Sequence, residues 1–169
     1  MLQQPKPFVF HVNPELDDND ASIEALHELA FGPGRFARTA FRLREGRPAV
    51  AGLSFVANIG DRLVGSIRFG CVVLAGSPGL LLGPLVVHPD HAGRGVGLKL
   101  MQTALEAARL QEHAWVMLVG DEPYYARVGF SRVPLGLITL PGPVDPARLL
   151  FLELKPDAMR GLSGMLQAG

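Results

Sequence analysis

Three closely spaced glycines are the residues whose arrangement in this sequence most directly suggests chemistry. Gly93, Gly95 and Gly97 follow one another at every second position, and the pattern after them predicts a helix that begins near Val96. The unpaired N–H groups in the first turn of such a helix point back toward the glycines. Together with the positive end of the helix dipole they form an anion site that suits phosphate. Short glycine motifs also occur in connections that bind nothing, so the glycines alone leave both interpretations open.

Two adjacent tyrosines are the second chemical feature. Tyr124 and Tyr125 follow the apolar segment Trp115–Val119, which is typical of a buried strand. A tyrosine hydroxyl near the end of a strand could act as a general acid toward a bound ligand. The alternative is that the two rings pack or hydrogen-bond to the backbone, and the residues alone do not decide between the two.

Four arginines within ten residues form the densest basic segment of the chain. Arg35, Arg38, Arg42 and Arg44 alternate with apolar residues at helical spacing. One interpretation is a solvated helix face. The other is a surface that meets an anionic substrate or the phosphates of a ligand.

The elements that position these residues are predicted around one strand. The nearly continuous apolar run 80–87 suits a strand covered on both faces, and a bulge near Gly83 and Pro84 would accommodate the proline. A helix over 96–111 and the strand Trp115–Val119 follow, which implies a right-handed crossover and a locally parallel pair. Where two such strands diverge, a cleft opens at their carboxyl ends. The glycine turn and the tyrosines would then lie on opposite sides of that cleft.

The rest of the chain is predicted to alternate between strands and helices. Further strands are predicted over 8–12, 53–58, 63–74, 135–140 and 149–154. A hairpin turn at 59–62 joins two of them into an antiparallel meander with the central strand. Residues 156–169 are weakly patterned and are expected to form a C-terminal tail.

Two shorter helical stretches complete the predicted elements. An apolar stripe of Ile23, Leu26, Leu29 and Ala30 predicts a helix that ends before Gly32, with Asn19 or Asp20 as its expected N-cap. A short helix is predicted to contain the two tyrosines and to end at Gly129, with Asp121 as its expected N-cap.

Composition limits the class of protein. The 169 residues suit one domain with a sizeable core. Lysine plus arginine and aspartate plus glutamate both number 16, so no net charge attracts nucleic acid or an anionic membrane. The single cysteine, Cys71, excludes an internal disulfide and is expected to be buried.

No apolar run approaches the roughly 20 residues that span a bilayer. The N-terminal apolar run is too short for a signal peptide, so a cytoplasmic protein without a membrane or nucleic-acid partner is expected.

Two segments resemble the signatures of one enzyme family. Residues 85–97, LVVHPDHAGRGVG, resemble the acetyl-CoA motif of the GNAT N-acetyltransferases. Residues 125–130, YARVGF, resemble the second signature of that family, a short helix with a tyrosine followed by Gly-Phe. Their order and spacing also match, and the resemblance covers about residues 8–155. It implies a single-domain α/β (α+β) fold with a central mixed, mostly antiparallel sheet of about six to seven strands, a splayed parallel pair and about four flanking helices.

The resemblance also implies roles for individual residues, with acetyl-CoA as the cosubstrate and no metal. Backbone groups of the central strand would bind the acetyl group and the pantetheine arm, and backbone N–H groups of the glycine turn would hold the pyrophosphate. Tyr125 matches the residue that protonates the departing thiolate, and Asp121 stands where the family often has an asparagine that contacts the pantetheine arm. The implied cosubstrate-binding residues are Leu85, Val86, Val87, Gly93, Arg94, Gly95, Val96, Gly97, Leu98 and Asp121. Ala92 departs from the family, which usually has glutamine or arginine there.

The implied activity is direct transfer of an acetyl group from acetyl-CoA to an amine of a small molecule or a protein. A neutral amine would attack the thioester carbonyl while a backbone N–H near Leu85 or Val87 polarises it. The acceptor is expected to meet residues 20–46 and 134–148, which favours an acceptor with an anionic or apolar part. No general base is assigned. The candidates are Glu45, His88, Asp90, Asp121 and Glu122.

The residues leave two other functions open. A non-catalytic acyl-CoA-binding or sensing module would have the same fold; the departure at Ala92 favours it, whereas Tyr125 favours the enzyme. A nucleotide-phosphate binder is disfavoured, because the turn lacks the lysine that a P-loop carries. Pairing through the last strands would allow a homodimer.

Overall fold

An eight-stranded sheet organises residues 7–169, which are the residues that this computed structural model describes. Phe36 and Ala37 are described without their side chains, and residues 1–6, the start of the segment considered as a signal peptide, lie outside the described residues. The strands are β1 (His11–Pro14), β2 (Phe55–Ile59), β3 (Arg62–Leu74), β4 (Ser77–Val87), β5 (Trp115–Val119), β6 (Ser131–Arg132), β7 (Ile138–Thr139), β8 (Leu149–Glu153), β9 (Gly164–Met165) and β10 (Gln167–Ala168). The α-helices are α1 (Asp20–Phe31), α2 (Thr39–Arg44), α3 (Val96–Leu110) and α4 (Glu122–Tyr125), with 3₁₀ turns at Asp17–Asn19, Pro33–Ala37, Pro89–His91, Ala126–Val128 and Pro146–Arg148.

The main sheet is mixed and mostly antiparallel. Its order is β1-β2-β3-β4-β5-β8-β6, and β10 pairs with β3 outside this path. Strands β4 and β5 are parallel and are connected by α3, whereas the other neighbours in this sheet are antiparallel. The predicted meander of β2, β3 and β4 and the predicted parallel pair are therefore confirmed.

The parallel pair separates almost as soon as it forms. Strands β4 and β5 share only two register positions, the second of which joins Leu81 to Met117. Just beyond it, β4 contains a bulge, because Gly83 and Pro84 together stand opposite Arg68 of β3. The bulge predicted from the proline is thus confirmed. Since a bulge bends its strand, it turns β4 away from β5 and leaves a cleft between their carboxyl ends.

Ion pairs anchor the N-terminal segment to this bulge. The Arg68 side chain donates to Glu15 through Nε at 2.9 Å and to Asp20 through Nη2 at 2.9 Å. Asp20 is the first residue of α1. The guanidinium opposite the bulge therefore fixes the start of α1 against the sheet.

Helix α3 covers one face of the sheet. Its buried residues Leu100 and Met101 belong to the same core cluster as Ile67 and Phe69 of β3, so the helix has one apolar face. A Cβ at Gly65 would lie 2.9 Å from Leu100 Cδ1, so the glycine lets the helix approach the sheet closely. Among the described residues, no helix combines the length and apolar character needed to cross a membrane.

The predicted apolar stripe of α1 is wrong in two positions. Leu29 and Ala30 are exposed, and the buried residues of the helix are Ile23, Leu26 and His27. Positions 23, 26 and 27 share one face at helical spacing, whereas position 29 lies on another. His27 thus faces the core, which the sequence pattern did not predict.

Neither expected N-cap side chain bonds to its helix. Asn19 precedes α1, but its side-chain oxygen accepts from the Leu16 N–H at 2.8 Å. Asp121 precedes α4, and its Oδ1 accepts from Nε of Arg148 at 3.2 Å. Each side chain is therefore used outside the helix it precedes.

Two strands begin and end at other residues than the sequence predicts. The strand predicted over 8–12 is observed as β1, whose ends follow its pairing with β2. Pro14 is tolerated because β1 is an edge strand. The strand predicted over 135–140 is reduced to β7, since Gly136 and Pro141 interrupt it.

Cys71 is exposed on β3, which corrects the expectation that it is buried. Its neighbour Val72 is buried. Because successive side chains of a strand face opposite sides, the apolar run around Cys71 does not bury every member.

The C-terminal residues are an integral part of the fold and not the weakly structured tail that the sequence predicts. Strand β9 pairs with β7, and β10 pairs with the end of β3. Leu166 lies between them, fully buried in a second core cluster with Trp115 and Met117. A single apolar residue between two-residue strands has no periodicity, so the pattern did not predict it.

Replacing Leu166 with alanine should lower the free energy of unfolding by about 2–5 kcal/mol, because it leaves a cavity in the second cluster. Urea denaturation followed by circular dichroism measures the change. Met165→Ala is the matched control, since Met165 is 51% exposed and its loss should cost far less. Equal effects of the two changes would mean that the C-terminal segment does not contribute to the core.

Candidate active site

Three adjoining cavities occupy the cleft and the wall beside it. The turn cavity, about 290 Å³, is lined by the glycine turn and the start of α3. The middle cavity, about 490 Å³, lies between the carboxyl ends of β4 and β5 and the α1–α2 region. The back cavity, about 440 Å³, is lined by residues of α1, α2 and β3. Leu85, Tyr124 and Tyr125 line both the turn and the middle cavity, whereas His27, Phe41, Arg44, Gly83 and Pro84 line both the middle and the back cavity.

The glycine turn presents free backbone donors to the turn cavity. Gly93 and Gly95 have φ values of +73° and +87°, which favour glycine. Gly95 is the N-cap of α3 and offers no side-chain cap, so the N–H groups of Val96, Gly97 and Leu98 have no partner within the helix. The predicted helix start is confirmed. These N–H groups and the helix dipole suit an anion at this position.

The Arg94 side chain at the glycine turn packs against an aromatic ring, while the backbone of the turn faces the turn cavity. The Arg94 guanidinium lies 3.6 Å from the ring centroid of Phe8, and Phe8 in turn stacks on His91. The Arg94 side chain therefore engages an aromatic ring, and Arg94 contributes its backbone to the turn. Ala92 lines the turn cavity with a methyl group.

Two further residues of the turn cavity escaped the sequence analysis. His91 lines it, and its Nδ1 is buried with no hydrogen-bond partner among the described residues. Arg127 also lines it and lies over the Tyr124 ring, 5.9 Å from the centroid. The signal that could have identified Arg127 is its place inside the YARVGF segment, two residues after Tyr125.

The central strand offers a free backbone edge to the same cleft. Leu85, Val86 and Val87 pair with β3 on one side, but β5 no longer pairs with β4 on the other side. Backbone N–H and C=O groups alternate along such an edge and need partners. Leu85 and Val87 line the turn cavity, while the Val86 side chain is buried in the fold.

The two tyrosines are packed against glycines on both sides of the cleft. A Cβ at Gly97 would lie 2.1 Å from the Tyr124 hydroxyl oxygen, so that hydroxyl lies over the first turn of α3. A Cβ at Gly120 would lie 2.3 Å from the Tyr125 ring. The two rings meet edge to face with centroids 5.0 Å apart. Glycine at 97 and at 120 is therefore required for both rings to lie where they do.

Burial keeps the Tyr125 hydroxyl protonated. Burial, together with the nearby Tyr124 and Asp121, raises the pKa of Tyr125 to about 12, while Arg148 opposes the rise. The pKa of Tyr124 is also raised by burial, with Arg127 opposing. Tyr125 is thus a neutral hydrogen-bond donor at neutral pH, in the wall between the turn and middle cavities.

The middle cavity is lined by four arginines, two of which are in ion pairs. Arg35 is buried and binds Glu28 at 2.6 Å, with Glu24 at 3.5 Å. Arg148 binds Asp121. Asp121 lines the middle cavity and not the turn cavity, so its contact with a pantetheine arm stays a prediction.

His27 is the titratable residue that sequence reasoning missed. It is 4% exposed and lines both the middle and the back cavity. Its Nδ1 lies 3.6 Å from Glu24 Oε1, and its Nε2 has no hydrogen-bond partner among the described residues. Burial is the largest cause that lowers the pKa of His27, against the attraction of Glu24, so the ring is neutral at neutral pH.

The five candidate bases are scattered by the fold. Asp121 lines the middle cavity and Glu45 the back cavity. His88, Asp90 and Glu122 line none of the three cavities. Among the described side chains, no three histidine, cysteine, aspartate or glutamate residues are grouped so that they could hold a metal ion.

Comparison with known proteins identifies the family. The family model described as an acetyltransferase (GNAT) domain matches residues 51–132. An Escherichia coli protein, the uncharacterized N-acetyltransferase YjhQ, is 35% identical over 128 residues, which cover 73% of this chain and 70% of that protein. The chain belongs to the GNAT family of N-acetyltransferases. The resemblance carried by the two sequence segments is thereby confirmed.

Solved structures share the fold of this GNAT protein. The GNAT family N-acetyltransferase YhbS of Escherichia coli, solved in complex with CoA, matches with a TM-score of 0.82 at 22% identity, over 98% of this chain and 93% of that one. A GNAT family acetyltransferase of Brucella melitensis, solved in complex with acetyl-CoA, matches with a TM-score of 0.68 at 27% identity, over 88% and 90% of the two chains. The mixed sheet with its splayed parallel pair is thus the GNAT fold.

Tyr125 should titrate near pH 12, well above the ordinary tyrosine value. The protein has only two tyrosines, so Tyr124→Phe leaves the near-ultraviolet absorbance of the Tyr125 phenolate alone. Because burial disfavours the phenolate, stability contributed by neutral Tyr125 is complete below pH 10 and is lost as the pH rises toward about 12. A rapid pH jump that shows an ordinary tyrosine pKa for Tyr125 would contradict its burial.

Proposed function

We propose that this GNAT protein transfers the acetyl group of acetyl-CoA directly to an amine, with Tyr125 as the general acid. One observation carries the proposal. Tyr125 lines both the turn cavity and the middle cavity, and its ring packs against Gly120 directly after β5. A thioester held in one cavity and an amine entering from the other would meet next to a protonated hydroxyl.

The turn cavity is suited to the phosphate end of the cosubstrate. The backbone N–H groups from Gly93 to Leu98 would bind the pyrophosphate, since the first turn of α3 has no side-chain cap. Arg127 at the rim would add a positive charge. Because the donors belong to the backbone, Ala92 in place of the usual glutamine or arginine leaves them unchanged. The complexes of YhbS with CoA and of the Brucella protein with acetyl-CoA support this assignment.

The free edge of β4 is suited to the rest of the molecule. Alternate backbone groups of residues 85–87 have no strand partner on the side of β5 and would bind the pantetheine arm much as a further strand would. An N–H of this edge, near Leu85 or Val87, would polarise the thioester carbonyl and stabilise the oxyanion that forms on it.

The reaction then needs one proton at the sulfur. The neutral amine attacks the carbonyl carbon, the carbon–sulfur bond breaks, and the Tyr125 hydroxyl gives its proton to the departing thiolate. The proton that the amine nitrogen loses passes to water and restores the Tyr125 hydroxyl. The burial that raises the pKa of Tyr125 also raises the basicity of a thiolate beside it, because both anions lose hydration. No covalent enzyme intermediate is involved.

Tyr125→Phe should lower kcat by about 100-fold or more, which is the range that a general acid contributes. Release of the CoA thiol with a panel of amines measures turnover, and calorimetry with CoA measures binding, which should change little. Wild-type activity should not fall on the alkaline side below pH 10, because the acid stays protonated there. Unchanged kcat in Tyr125→Phe would exclude the acid role, and CoA binding without turnover of any amine would favour a non-catalytic binding module.

Gly97→Ala should weaken CoA binding by about tenfold, because the new methyl group and the Tyr124 hydroxyl cannot both fit. Overpacking of this kind costs about 1–3 kcal/mol. Gly34→Ala is the matched control, since a Cβ there meets nothing within 4 Å and its φ is not positive. Equal CoA affinity for the wild type and Gly97→Ala would show that this turn does not hold the cosubstrate.

A further inference from the structure

Arg44 differs from the other arginines of the cleft. Its side chain lines the wall shared by the middle and back cavities. Two glycines make room for it: a Cβ at Gly70 would lie 3.2 Å from Arg44 Cγ, and a Cβ at Gly83 would lie 2.9 Å from its Nη1. The stem thus passes over β3, and the guanidinium lies against the bulge of β4.

No described acidic side chain neutralises this guanidinium. Burial alone lowers the pKa of Arg44 to about 10, with no charge partner contributing. By contrast, Arg35 is paired with Glu28 and Arg148 with Asp121, and Arg38 is exposed and lies over the Phe31 ring. A buried cation without a partner is costly, so one that is kept at the wall of a cavity points to an anion supplied from outside.

A second group in the same wall lacks a partner. The Nε2 of His27 is buried and has no hydrogen-bond partner among the described residues. The two unsatisfied groups line the same pair of cavities. A polar ligand that reaches this junction would therefore find both a guanidinium and an imidazole nitrogen available.

We propose that the acceptor is a small amine that carries a carboxylate, and that Arg44 binds this carboxylate at the junction of the middle and back cavities. A planar guanidinium matches a carboxylate with two parallel hydrogen bonds, and one positive charge matches one negative charge. Phe41, Leu82 and Pro84 supply apolar walls in the middle cavity, whose size of about 490 Å³ suits a small molecule.

The inference rests on the proposed function, and the position of the guanidinium agrees with the geometry of that reaction. Gly83 precedes Leu85 by two residues, so the two are separated by at most about 7 Å along the chain. An amine at a thioester near Leu85 and a carboxylate at Arg44 would then be separated by a chain of several bonds. Linear ω-amino acids are compounds of this kind.

Substrate pairs that differ only in the carboxylate test the inference. We compare 5-aminopentanoate with pentylamine and 4-aminobutyrate with butylamine. The wild type should have a kcat/KM about tenfold or more higher for the amino acids. Arg44→Met should remove this preference by raising KM for the amino acids, with the KM of acetyl-CoA unaffected. Arg42→Met is the matched control, because Arg42 is exposed on the same helix and lines none of the three cavities; it should keep the preference.

Stability and binding measurements keep the outcomes distinct. Arg44→Met retains an apolar stem over Gly70 and removes a desolvated charge, so its Tm should be equal to or higher than that of the wild type. Calorimetry with 5-aminopentanoate reports binding without turnover. Turnover of both members of each pair at equal kcat/KM would overturn the inference and leave the proposed function intact. Binding that depends on Arg44, with no acetyl transfer to any amine, would support the inference and overturn the proposed function.

Discussion

The early end of pairing between β4 and β5 is the constraint on which the rest of the site depends. A strand inside a sheet normally satisfies its backbone on both sides, but β4 loses its neighbour after Leu81. The bulge at Gly83 and Pro84 causes this loss of pairing. Two residues of β4 must fit opposite one residue of β3, and the strand bends away from β5 as a result. A row of unsatisfied backbone groups then lies in the middle of the molecule, where a ligand can satisfy them.

The two strand ends supply complementary chemistry to this opening. One end leads into the glycine turn, where α3 begins without a side-chain cap and presents free N–H donors. The other leads into α4, where close packing on Gly120 holds the Tyr125 ring in a position shielded from solvent. Anion binding needs exposed donors, whereas burial raises the pKa of a phenol. The cleft combines the two because its two sides are built from different elements.

The sequence predicts the parts of this site that depend on local pattern. The glycine spacing predicts the start of α3, the apolar run predicts β4, and Pro84 predicts the bulge. Other features depend on how elements are oriented in three dimensions. Which face α1 turns toward the sheet decides that His27 is buried and Leu29 exposed. In the same way, four arginines look equivalent in the sequence, and only their position relative to β4 separates Arg44 from Arg42.

The attachment of α1 has a consequence for how the proposed acceptor side of the cleft can diverge. The start of this helix is fixed by Arg68 through Glu15 and Asp20, and the helix buries Ile23, Leu26 and His27, whereas α3 buries seven residues. Changes in a packed core cost several kcal/mol, but changes among partly exposed charged groups cost much less. Outside its three buried positions, α1 can therefore accumulate substitutions at little cost in stability, while more of α3 is held constant by its core. Under the proposed function, new acceptor specificities can evolve on this scaffold by altering the exposed positions of one wall of the cleft.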